Sequence, residues 1–295
     1  MEYTYSVSIP HYNSPRLLAR MLKSIPERDD IQVIVVDDGS MQENVEELKL
    51  FKHKNLELIL LEENRGGGYA RNIGLQHATG KWFISVDADD YFSDNAFEVF
   101  DQYKNEDIDC LGFCVLCVDT DTGKVTRELV ANHNVSEYLK KKTNKTENLL
   151  RFHNLEAWNK LVSMDFIQKN NIQFENCRIN IDVLYSILIG LHAKKYKVIP
   201  DKLYYFTENP DSITHKKRTV EREFQFYLQV QKRNGFYRAM GLTHLPFYRA
   251  DYLYVPFMLK KRGIKDTIEF FTLWWKNREE RKKAREEYLK YLKKG

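Results

Sequence analysis

Residues 82–90 read WFISVDADD, a short apolar and aromatic run from Trp82 to Val86 that stops at Asp87-Ala88-Asp89-Asp90. A run this brief, rich in residues that favour strands and cut off by turn residues, reads as a strand buried on both faces. Working outward, the same unit recurs upstream. Tyr5 to Pro10, Ile31 to Val36 and Leu56 to Leu61 are strands of the same kind, and Pro15 to Ile25, Gln42 to Lys52 and Gly68 to His77 between them have helical spacing. Strand, helix, strand in regular alternation predicts an α/β fold with a mostly parallel sheet flanked by helices. A helix from Tyr91 to Tyr103 is expected next. After residue 108 the rhythm changes: a strand near Leu111 to Val118, a turn at Asp121-Thr122-Gly123, then a polar stretch through Lys145 in which Lys140 to Lys145 reads as a solvated loop or helix face. From Thr219 onward the pattern is helical and ends in a charged helix, Lys276 to Lys294. The expected domains are therefore 1–217, and a helical C-terminal region, 218–295.

In an open parallel sheet, ligands bind beyond the carboxyl ends of the strands. Those ends are polar here: Pro10-His11-Tyr12-Asn13, Asp37-Asp38-Gly39-Ser40, Glu63-Asn64-Arg65-Gly66 and Asp87-Ala88-Asp89-Asp90. Four such ends on one edge predict a site. Asp87 and Asp89 offer hard oxygen donors of the sort that suit Mg or Mn, with a helix N-cap as the structural alternative. Gly66-Gly67-Gly68 lets the backbone approach a ligand closely, and Arg71 one turn later suits a diphosphate or pyrimidine, or else is a solvated face. Neither G-x-G-x-x-G after the first strand nor GK[ST] is present, which argues against a nicotinamide-dependent oxidoreductase.

The composition narrows the classes further. With 295 residues, 43% hydrophobic and 30% charged, the chain can bury a sizeable core. It has no run of about 18 apolar residues and no secretory signal at its N-terminus, so a cytoplasmic location is expected. Cys110, Cys114 and Cys117 sit in an apolar run and Cys177 stands apart, which favours buried thiols over a zinc site or disulfides. The net charge of +4 hides an asymmetry: residues 258–295 hold 13 Lys/Arg against 6 Asp/Glu, whereas the rest holds 33 against 36. A basic tail on a slightly acidic body suits an anionic partner at the tail, and not nucleic acid. Residues 258–295, with Trp274 and Trp275, are expected to dock on an anionic membrane surface; the alternative is a tail that packs Tyr288, Leu289 and Leu292 on the body.

In order and spacing, SVSIPHYN (6–13), VIVVDDGS (33–40), ENRGGGYARNIGL (63–75) and WFISVDADD (82–90) resemble glycosyltransferase family 2, and FENCRINIDVLYS, from Phe174, resembles the family's fifth block. The resemblance implies a GT-A fold and an inverting transfer from a UDP-sugar to a hydroxyl of a saccharide or lipid-linked saccharide, with a divalent metal, Mn or Mg, as cofactor. By the same resemblance, Pro10, Tyr12, Asn13, Asp38, Asn64, Gly68, Arg71, Asp87 and Ala88 would line the nucleotide. Asp89, with Asp87 and His215, would hold the metal. Asp182 would be the catalytic base, although the family's Glu before it is Ile181 here. Trp158 and Lys160, in AWNKLVSMDFI, would border the acceptor, with a core role for Trp158 as the alternative. Ile181 leaves a second reading, a non-catalytic nucleotide-sugar-binding protein.

Overall fold

A computed structural model describes residues 3–208, 219–242, 244–245 and 250–294. The chain divides into two compact units, Met1–Pro210 and Asp211–Gly295. The boundary expected near residue 217 lies outside the described residues.

The first unit begins as the sequence predicts. Strands β1 (Tyr5–His11), β2 (Ile31–Asp37), β3 (Leu56–Leu60) and β4 (Trp82–Ser85) pair in parallel in the order β3-β2-β1-β4, with helices α1 (Pro15–Lys23), α2 (Gln42–Leu48) and α3 (Gly67–His77) as crossovers. Every residue of β2 and β4 is buried, which is why these strands read as mostly apolar runs. Helix α1 starts on Pro15, whose missing N–H costs nothing in a first turn, and buries Leu18, Met21 and Leu22 at helical spacing. Each such side chain contributes about 1.5–3 kcal/mol by leaving water.

Beyond β4 the sheet continues as β8-β6-β9-β5, built from β5 (Tyr91–Phe92), β6 (Cys110–Asp119), β8 (Lys160–Ser163) and β9 (Tyr196–Glu208), while β7 (Val125–Arg127) pairs with β6. Strand β8 runs antiparallel to both of its neighbours, β4 and β6, so the sheet is mixed. One expectation is corrected here, and one stretch left without an element gains two helices. The helix predicted from Tyr91 is a two-residue strand antiparallel to β9, where Tyr91 stacks on Tyr205 at 4.6 Å, and helix α4 starts only at Ala96. The polar stretch before Lys145 holds helix α5 (Val130–Lys140), and α6 (Asn144–Phe152) begins at its end. Buried asparagines hide the amphipathic pattern of α5. The Asn132 side chain accepts from the Val115 amide at 2.9 Å and donates to the Val115 carbonyl at 2.7 Å, as a neighbouring strand would. Helices α7 (Met164–Lys169) and α8 (Asp182–His192) complete the unit.

The second unit comprises α9 (Val220–Ala239), α10 (Ala250–Lys276), α11 (Arg278–Glu287) and a 3-10 turn, Tyr288–Lys294. Phe224, Tyr227, Tyr254, Met258 and Phe270 form its core. Helix α11 lies against α9, and Gly235 makes the approach close enough that a Cβ there would stand 1.9 Å from the Arg285 carbonyl oxygen. The predicted Lys276–Lys294 helix is thus interrupted at Asn277, and it buries Ala284 and Tyr288.

Candidate active site

The parallel register that sets His11 opposite Asp37 brings the ends of β1 and β2 together. The His11 Nε2 accepts the Ser14 amide at 3.1 Å, so Nδ1 carries the proton and donates to Asp37 Oδ1 at 2.7 Å. Asp37 also accepts the Ser40 amide. Burial raises the Asp37 carboxyl, but the hydrogen bonds from His11 and Ser40 outweigh it and hold the group below its ordinary value. Asn13, at φ 51°, staples the two loops: its amide donates to Ser40 Oγ at 2.8 Å and its Oδ1 accepts from the Met41 amide at 2.8 Å. Tyr12 is half exposed beside it and Pro10 is partly buried. Asp38 takes the amides of Arg65 and Gly66 at 2.8 Å each, one on each oxygen, and so fixes the loop after β3. The Asn64 carbonyl accepts from Arg178 at 3.2 Å.

The glycines that open α3 accommodate the chain itself. A Cβ on Gly68 would stand 2.0 Å from the Glu175 carbonyl oxygen, and one on Gly67 would stand 3.0 Å from Ile181 Cδ1. The loop leading to α8 therefore lies directly on the start of α3, and Ile181 is an apolar contact with those glycines.

Arg71, buried on α3, joins the two acidic parts of the site. Its Nη1 donates to Ser85 Oγ at 2.7 Å, Nη2 donates to Asp87 Oδ1, and Nε lies 3.5 Å from Asp182 Oδ1. The guanidinium is thus turned toward two carboxylates. Asp182, the first residue of α8, accepts the Ala157 amide on Oδ2 at 3.2 Å. Burial pushes its carboxyl up, Arg71 opposes the shift, and Asp87 adds to it.

After β4, one oxygen from each of Asp87, Asp89 and Asp90 lies within 4.8 Å of the others. Ala88 between them is buried. Asp90 is fully enclosed: Oδ1 accepts the Thr207 amide at 2.7 Å, and Oδ2 is buried without a hydrogen bond. Burial, followed by the charge of Asp87, pushes the Asp89 carboxyl up to about 6, and burial with both neighbours raises Asp90 well above its usual range. Three crowded carboxylates, one with an orphaned oxygen, form an all-oxygen donor set that fits a divalent cation such as Mg or Mn. His215 lies outside the described residues.

Trp158 is buried and stacks on Tyr204 at 5.7 Å, and the Tyr204 hydroxyl accepts the Asp87 amide at 3.0 Å. The indole is part of the core and supports the carboxylate loop from beneath. Lys160 is a correction. It is 1% exposed, and its ammonium turns inward to the Asn154 and Glu156 carbonyls and the Asn159 side chain, so it braces the 154–159 loop and does not reach an acceptor. Sequence reasoning missed Asp90 as a third donor, Tyr204, and Arg20 on α1, whose guanidinium donates to the carbonyl of Asp89 and to Thr120.

Comparison with known proteins agrees with this fold. The sequence profile described as "Glycosyl transferase family 2" matches residues 6–168. The poly(ribitol-phosphate) beta-N-acetylglucosaminyltransferase TarS of Staphylococcus aureus is 26% identical over 256 residues, 84% of this chain; the chain spans 41% of that relative's length. The crystal structure of S. aureus TarS 1–349 in complex with UDP-GlcNAc superposes with a TM-score of 0.62 at 22% identity, over 78% of this chain and 66% of that one. The mannosyltransferase PcManGT of Pyrobaculum calidifontis, in complex with GDP-Man and Mn2+, matches with a TM-score of 0.55 at 14% identity, over 94% of this chain and 81% of that one. The fold is GT-A.

Proposed function

Because the chain belongs to glycosyl transferase family 2, we propose that it moves a hexosyl or N-acetylhexosaminyl group from a UDP-sugar to an acceptor hydroxyl with inversion. The acceptor we propose is a bacterial-type surface polysaccharide or lipid-linked glycan. One observation carries the reading: Arg71 stands between a carboxylate cluster at the end of β4 and the lone carboxylate Asp182 at the start of α8. Donor and acceptor ends of a transfer site need that separation of roles. The printed names of TarS and its UDP-GlcNAc complex support a UDP donor and a polymeric acceptor.

In this reading Pro10, Tyr12, Asn13, Asp38, Asn64, Gly68, Arg71 and Ala88 shape the nucleotide pocket, directly or by holding its loops. Each Asp38 oxygen keeps a lone pair beyond the amide it accepts, enough for an imide hydrogen. Asp87 and Asp89, with Asp90 beside them, would hold a divalent cation, and Mg or Mn bound there would supply Lewis acidity toward the diphosphate. Asp182 takes the proton of the acceptor hydroxyl as that oxygen bonds to the anomeric carbon. The bond from that carbon to the diphosphate oxygen breaks, and UDP leaves with the electron pair. A single displacement puts the acceptor on the opposite face of the sugar. Burial raises the Asp182 carboxyl and so makes the carboxylate a better proton acceptor than a solvated one, while the charge of Arg71 opposes that shift. Ile181 contributes packing in this scheme and no charge.

The test is a screen of UDP-glucose, UDP-galactose and their N-acetyl relatives for UDP release with Mg or Mn. At least one donor is expected to turn over, and Asp89→Ala is expected to abolish metal-dependent release while the melting transition is kept. UDP binding without release from any donor would establish the non-catalytic binding protein instead.

A further inference from the structure

One helix face in the C-terminal unit is left open among the described residues. Helix α10 breaks at Gly263, where φ is 81°, and residues 264–276 continue as a second helical segment. On this segment Ile264, Ile268 and Trp275 are exposed by 71%, 63% and 78%. Half-buried Phe271 lies between them. Positions 264, 268, 271 and 275 follow the spacing that lines side chains up along one face of a helix. The other side of the segment is already packed. Phe270 is fully buried against Phe224, Tyr227 and Tyr254, and the Trp274 indole N–H donates to the Tyr227 hydroxyl at 3.1 Å. Two adjacent tryptophans therefore face opposite ways, one into the core and one into solvent.

The exposed charges of residues 257–276 are mostly basic. Lys260, Lys261, Lys265 and Lys276 are exposed, against the single exposed acid Glu269. Arg262 takes no part, since its buried guanidinium faces Glu223 and Asp266. An apolar line with an exposed indole and flanking lysines is the composition of a helix that lies in a lipid headgroup layer.

We infer that residues 257–276 dock this unit reversibly on an anionic phospholipid surface, with the stripe of Ile264, Ile268 and Trp275 inserted and the lysines on the headgroups. Among the described residues no helix is long and apolar enough to cross a membrane. The structure also moves the attachment upstream of the Lys276–Lys294 tail, because α11 and the 3-10 turn after it spend Ala284 and Tyr288 on packing. The inference rests on this helix face alone and stands apart from the transfer chemistry.

The test uses the whole chain with vesicles of phosphatidylglycerol in phosphatidylcholine, and with phosphatidylcholine alone. Co-sedimentation with the anionic vesicles is expected at low salt, with a blue shift of tryptophan emission and release at high salt. Changing Ile264, Ile268 and Trp275 together to Ser should cut binding by about tenfold or more, and each lysine changed to Gln should cut it roughly fivefold. These positions are exposed, so the far-UV spectrum and melting transition should hold. Binding that is absent from anionic vesicles, or undiminished in the triple variant, overturns the inference. So does self-association of the wild type that the triple variant abolishes, which would make the stripe an interface between two copies.

Discussion

At the scale of single residues, the account turns on Arg71. Its one charge faces both Asp87 and Asp182, all three side chains being largely buried. Arg71→Met would leave two carboxylates without a counter-charge, and removing one partner from a buried pair costs about 3–5 kcal/mol. Urea unfolding should show that loss, and UDP release should fall by about a hundredfold. Arg71→Lys should rescue little, because a single ammonium does not span two carboxylates as a guanidinium does. Asp37 is expected to set part of the acid limb of stability. Its folded pKa is lowered, so its stabilisation is complete above the unfolded value of about 3.9 and is lost as pH falls through the folded one. Urea midpoints of Asp37→Asn should fall less steeply than those of wild type below pH of about 4. Parallel curves would show that the His11 pairing has no energetic role. Asp87, Asp89 and Arg71 could be singled out because a strand end and a glycine-rich helix start mark them, whereas Asp182 was singled out only through the family resemblance. Their directions were not legible. Nothing local says that Arg71 points at carboxylates, that Lys160 points inward, or that Arg20 reaches the Asp89 carbonyl 69 residues away.

At the scale of elements, what matters is how closely the loop before α8 lies on α3. Gly68 sets that distance, since any Cβ there meets the Glu175 carbonyl. Gly68→Ala should push the 175–181 loop outward and move Asp182 away from Arg71. Turnover should then fall by about tenfold or more while UDP affinity, measured by calorimetry, changes less. Equal losses in both would place Gly68 against the nucleotide itself. The four parallel strands could be read from sequence because each is a short, mostly apolar run that ends in turn residues, and β2 and β4 are buried along their whole length. Strands β5 and β8 could not: each is short, and each exists only through pairing with a strand distant in the chain, β5 with β9 and β8 with β4 and β6. Helix α5 was hidden because its inward face carries Asn132 and Asn134, whose burial depends on partners in β6 and the 153–154 turn.

For the whole molecule, the sequence shows a charge asymmetry but not which surface carries it. Residues 258–295 are basic throughout, yet the structure divides them into a packed helix, α11, and an upstream segment with an open apolar stripe. Periodicity alone cannot separate these, since Trp274 and Trp275 are neighbours that face opposite ways. The first unit rests on nonlocal geometry in the same manner: Asp87 and Asp182 are far apart in sequence and are joined through Arg71. The most direct measurement of the central claim is UDP release by Asp182→Asn beside its UDP-sugar affinity, with Mn present. The account predicts unchanged donor affinity and release reduced by about a hundredfold or more, because an amide cannot take the proton. Release within about tenfold of wild type, roughly 1.4 kcal/mol of barrier, would contradict the assignment of Asp182 as the base.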